Sequence, residues 1–114
     1  MMATATYVQH GDAIDYTPGS DVAAGDVVVQ GELIGIAKTA IAANLIGAIA
    51  VSGVFDVPKA TGASTAITAG ANVYWDATNS VATTDDDTGN NKLLGKTVLA
   101  AADGDATVRI RMNQ

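Results

Sequence analysis

The sequence has no cysteine, only two prolines and a single histidine. Without cysteine there are no disulfides, no thiolate metal sites and no cysteine nucleophiles, a composition that fits a reducing compartment. Aromatic residues make up 4% of the chain and are Tyr7, Tyr16, Phe55, Tyr74 and Trp75. Positive charge is scarce as well: six Lys and Arg stand against twelve Asp and Glu, for a net charge of −6. Phosphate-backbone binding draws its affinity from clustered Lys and Arg, and Arg109 and Arg111 form the only close basic pair. Nucleic acid is therefore not an expected partner. Long apolar runs are missing too. Residues 40–51 are apolar apart from Asn44, too short for the roughly 18 to 20 residues that span a bilayer, so no membrane partner is expected. The start, Met-Met-Ala-Thr-Ala-Thr-Tyr-Val-Gln-His-Gly-Asp, has neither the positive region nor the apolar stretch of a secretory signal. The expectation is a soluble, acidic protein assembled inside the cell.

What is present is Ala, Val, Ile, Thr and twelve glycines in 114 residues. That length suits one domain and lets a chain bury about two thirds of its unfolded surface. The composition disfavours a helical bundle and favours short strands with tight turns. Period-two alternation agrees. Ala106, Val108, Ile110 and Met112 share one face of the last segment, and Thr107, Arg109 and Arg111 the other, as in a half-buried strand. Residues 27–29 and 33–37 are β-branched runs separated by Gly31, the signature of a turn or bulge. Residues 72–75 and 81–83 flank a polar step at 76–80, and 92–100 is joined to 105–112 through Asp103-Gly104, a further hairpin signal. Turn chemistry every eight to twelve residues predicts an all-β fold, a small barrel or sandwich with short hairpins. The run 36–51 reads as two buried strands around a turn near Ala43-Asn44, because Gly35, Gly47 and Gly53 interrupt or bracket it and each disfavours helix by about 1 kcal/mol. Residues 83–91 (TTDDDTGNN) read as a long exposed loop. The expected core contains Val54, Phe55, Val57, Val73, Trp75, Val98, Val108 and Ile110. Residues 1–9 are read as an N-terminal arm or first strand, and 10–114 as one β domain.

Four segments imitate chemistry. Gly89-Asn-Asn-Lys-Leu-Leu-Gly95-Lys96-Thr97 places five residues between its glycines, where a phosphate-binding loop has four and opens a helix; here a β-like run follows. Asp85, Asp86 and Asp87 with Gly89 carry oxygen ligands, but no Glu follows Glu32, and a calcium loop closes on a bidentate Glu. His10 is the one residue available to a Ser/His/Asp triad, and it lies beside Gly11-Asp12 in an apparent turn. The hairpin from Val22 to Ile34, with its Gly25-Asp26 and Gly31-Glu32 steps, resembles those of biotinyl and lipoyl carrier domains. Such carriers need a tip lysine in a Met-Lys-Met or Asp-Lys-Ala setting, and Lys38, Lys59, Lys92 and Lys96 have other neighbours. No catalytic residue, metal site or cofactor is expected.

Larger segments carry a further resemblance. They are the opening Met-Ala-Thr-Ala-Thr-Tyr-Val-Gln-His-Gly, Ile14-Asp-Tyr-Thr-Pro18, Gly25-Asp-Val-Val-Val-Gln-Gly31, Leu33-Ile-Gly-Ile-Ala37, Gly53-Val-Phe-Asp-Val-Pro-Lys59, Val73-Tyr-Trp-Asp76 and Leu94-Gly95-Lys96. In this order the chain resembles the phage capsid cement, or head decoration, proteins, long classed as a domain of unknown function. The resemblance implies a non-enzymatic protein on the outer capsid surface of the virion. It would bind the major capsid protein, as a homotrimer, and lock neighbouring capsomers. The arm residues Ala3, Thr4, Ala5, Thr6, Tyr7 and Val8, uncharged and alternating Ala with Thr before Tyr-Val, suit strand addition to a partner's sheet edge. A small carrier or ligand-binding domain, or a tail or fibre accessory protein, is an alternative with the same β composition.

Overall fold

The alternating segments fold as strands because each has an apolar face to bury and a turn former at its end. A computed structural model describes residues 5–8 and 11–113. In it the strands are β1 (Ala13–Tyr16), β2 (Val27–Gln30), β3 (Leu33–Ala37), β4 (Gly47–Ala50), β5 (Ser52–Pro58), β6 (Asn72–Asp76), β7 (Val81–Thr83), β8 (Lys92–Thr97) and β9 (Thr107–Asn113). One 3₁₀ turn, Asp87–Gly89, is the only helical piece among the described residues. The chain is all-β, as its composition predicts.

Two antiparallel sheets form, one after the other along the chain. The first has the order β1-β4-β3-β2 and the second β5-β9-β8-β6-β7. A parallel bridge between Lys59 and Ala82 ties the two outer strands of the second sheet, curling it into a barrel that closes at that point. The first sheet covers the barrel's open side. Its Ile34, Ile36 and Ala50 join Val57, Val73, Trp75, Leu94, Val108, Ile110 and Met112 in one buried cluster. Its other face carries Val28, Ala37 and Ile49, which pack with Ile41 in a second cluster alongside Ile14, Tyr16 and Val22. Sheet one is thus apolar on both faces, which explains its continuous rather than alternating hydrophobicity.

The turns follow sequence. Gln30 pairs with Leu33 across the two-residue turn Gly31-Glu32, and Gly31 has φ +61°, the positive value a II′ hairpin needs at its first position. Residues 36–51 do form two strands, with Ile36 opposite Ala50 and Ala37 opposite Ile49, and Asn44 takes φ +64° in the connection. The predicted hairpins β6–β7 and β8–β9 are both present, and residues 84–90 are an exposed loop.

The core expectation needs two corrections. Val54 is 56% exposed and Val98 44% exposed. The pleat alternates sides, so with Val57 buried and Phe55 packed against the core, Val54 must face out with Asp56. Val98 follows the buried Thr97 and faces out for the same reason.

Candidate interaction surface

The six arm residues divide at the limit of the described chain. Ala3 and Thr4 lie outside the described residues, as does His10. Ala5, Thr6, Tyr7 and Val8 belong to no strand of this chain and are exposed, Tyr7 by 76% and Val8 by 83%.

A groove of about 570 Å³ lies where the barrel gapes, between β2 and β5. Val27, Val29, Phe55 and Trp75 give it an apolar wall, and Asp26 and Asp56 lie at its margin. In an antiparallel hairpin, hydrogen-bonded and non-bonded pairs alternate. Gln30 with Leu33 closes the turn, so Val28 with Gly35 is the next bonded pair. The main chain of Val27 and Val29 therefore points away from β3, towards the groove. Among the described residues, a strand edge without a ladder partner and an apolar slot coincide here.

The Gly53-Val-Phe-Asp-Val-Pro-Lys59 run, which carries the resemblance, covers β5 from Gly53 to Pro58 and one residue beyond it. Phe55 and Val57 face inward, and Asp56 faces out, where its carboxylate accepts from Arg109 Nε at 2.9 Å and Nη2 at 3.2 Å. The hydrogen bonds from Arg109, with its charge, hold the Asp56 carboxyl below the usual carboxylate value against a smaller opposing effect of burial, and Asp56 in turn raises Arg109. Lys59 continues the inward face and is 4% exposed. Its Nζ donates to Ala60 O at 2.7 Å, Thr65 Oγ1 at 3.2 Å and Asp103 O at 3.4 Å. The Asp103 carboxylate accepts from the Thr65 and Ala66 N–H groups at 3.0 and 2.7 Å. A buried ammonium thus knots the 60–66 loop to the turn before β9. Sequence reasoning missed this role, although the shared parity of residues 55, 57 and 59 was its signal.

In the Val73-Tyr-Trp-Asp76 step, Val73 and Trp75 are buried and Asp76 shapes the hairpin. Its carboxylate accepts from Thr78 N, Asn79 N and Asn79 Nδ2 at 3.0, 3.2 and 2.8 Å. The Asn79 side chain and backbone lower its pKa most, burial opposes them, and the Thr78 N–H adds to the lowering.

The other sequence candidates resolve into structural parts. The segment after Gly89 enters strand β8, not a helix. Asp85 accepts from the Asp87 N–H at 2.9 Å, and among the described residues no group of three or more His, Cys, Asp or Glu is arranged to hold a metal ion. The β2–β3 tip is Gly31-Glu32, with no lysine. Among the described residues no helix is long and apolar enough to cross a membrane.

The two-sheet β fold spends its most specific motifs on core and turns. The phage cement protein family model matches residues 8–112. The chain belongs to the phage cement protein family. No curated protein and no solved structure matches it.

Proposed function

We propose that the protein is a non-enzymatic cement that binds the outer surface of an assembled phage head, contacts the major capsid protein and stabilises the junctions between capsomers. The family match over residues 8–112 carries this reading. The net charge of −6 supports it, because a negative surface is repelled by the packaged nucleic acid. A homotrimer would engage several capsid subunits at once, so that weak contacts gain avidity through effective concentration. Ala3–Val8 add a strand to a partner edge, with main-chain hydrogen bonds supplying affinity.

Co-sedimentation with purified DNA-filled heads tests the reading. The full chain should pellet with heads and not with isolated tails; pelleting with tails instead would sink it. Deleting residues 1–8 should leave thermal stability nearly unchanged and sharply weaken head binding. Thr4→Pro or Thr6→Pro should do the same by removing a ladder N–H. A truncated protein that decorates heads at full affinity would eliminate the arm as anchor.

A further inference from the structure

The outer face of the barrel sheet carries an arrangement that the isolated chain leaves unbalanced. Arg111 stands directly opposite Lys96 on β8 and opposite Val54 on β5. Like charges facing each other across a ladder repel. Both are exposed, and among the described residues neither makes an ion pair; the two bridges present are Lys92–Glu32 and Arg109–Asp56. A hollow of about 70 Å³ is lined by Leu93, Gly95, Lys96 and Arg111. Two of the chain's six cations therefore sit side by side, next to the exposed Val54, on a protein that is otherwise strongly acidic.

The same chain carries the complement. Asp86 and Asp87 project from the exposed 84–90 loop, whose form is fixed from within. Asp85 N–H donates to Thr83 Oγ1, Asp87 N–H to Asp85 Oδ1, and Asn91 N–H to Asp86 O. Lys92 Nζ donates to Gly89 O at 3.0 Å and to Glu32 at 2.8 Å, pinning the loop beside the β2–β3 turn. That end of β8 is about 13 Å from Lys96 at the usual rise per residue. The loop is held away from its own basic pair.

We propose that the Lys96/Arg111 face is a docking site for the Asp86-Asp87 loop of a second copy of this chain. The contact is head-to-tail, so each copy uses one surface of each kind, and such contacts close into a ring where the rotation permits. This deepens the homo-oligomeric part of the cement reading by naming its interface. It does not depend on capsid binding.

Sedimentation of the full chain, without heads, tests it. Self-association should weaken about tenfold between roughly 50 and 500 mM salt, as screening of exposed charges requires. Lys96→Gln with Arg111→Gln moves the net charge from −6 to −8, and Asp86→Asn with Asp87→Asn moves it from −6 to −4. Both pairs should weaken association about tenfold or more, a result that general charge repulsion cannot give because it predicts opposite signs. Combining K96E/R111E and D86K/D87K in one chain should restore the association that each pair alone removes. A wild-type monomer at every salt and concentration, or oligomers indifferent to either pair of substitutions, would overturn the proposal. Head co-sedimentation is scored separately, so self-association without head binding would sink the cement reading and leave this one standing.

Discussion

Lys59 shows how a charged residue becomes structural. Its ammonium is desolvated, and three neutral oxygens take its three protons. A buried donor that loses such partners, or acceptors that lose the donor, cost about 1–3 kcal/mol. Lys59→Met keeps most of the stem and removes the donor, so chemical denaturation should show a loss of that size. Hydrogen exchange should quicken in residues 60–66 and in the turn at Asp103. An unchanged midpoint would mean that the ammonium contributes nothing net. Asp76 provides a pH signature at the same scale. Its folded pKa lies below the ordinary 3.8, so its contribution is complete above the unfolded value and is lost as pH falls through the folded one. Melting temperature should therefore decline below about pH 4, and the decline should be shallower in Asp76→Asn.

Among the elements, β8 has a glycine whose replacement meets backbone. Gly95 packs against β9, and a Cβ there would collide with the Arg111 carbonyl, a backbone group that cannot swing aside. Gly95→Ala should destabilise by roughly 1–3 kcal/mol, as forced overpacking does, whereas Gly104→Ala, with open space around it, should be nearly neutral. Thermal melts of the two variants make the comparison. The same strand shows what sequence can reveal. Its existence, its partner β9 and the turn between them follow from alternation and Asp103-Gly104. The register shift opposite Val73/Tyr74 does not, because a single extra residue leaves local composition unchanged. The pairing of Lys96 with Arg111, fifteen residues apart in sequence, is not legible either, because the long β8–β9 connection is no tight hairpin turn that would set the register. Phe55, Val57, Val73, Trp75, Val108 and Ile110 were placed correctly because their segments alternate. Val54 and Val98 are as apolar as their buried neighbours and yet face out, because the pleat and not apolar character decides the side. Ile34, Ile36 and Ala50 went unnamed because a strand buried on both faces has no parity to read.

At the scale of the whole molecule, the two sheets divide the chain almost cleanly: strands between residues 13 and 50 build the first, and strands between 52 and 113 the second. The division is topological and not energetic, since one cluster spans both sheets. Within the second sheet, however, chain order and spatial order disagree. β9 is the final strand, yet it lies between β5 and β8 and gives Ile110, Val108 and Met112 to the centre of the core. This fixes a schedule for biosynthesis. While the ribosome is still making residues before Thr107, β5 and β8 flank a missing strand, with ladder groups bare on both sides of the vacancy and the interior of the barrel uncovered. Such edges invite pairing between chains, and domains that fold during synthesis do so as whole units. The larger sheet of this protein can therefore complete itself only once β9 has emerged. A chain stopped after residue 106 should accumulate as insoluble aggregate even though nearly all its turns are intact. Recovery of that fragment as a soluble, cooperatively melting species would show that the barrel closes without its central strand.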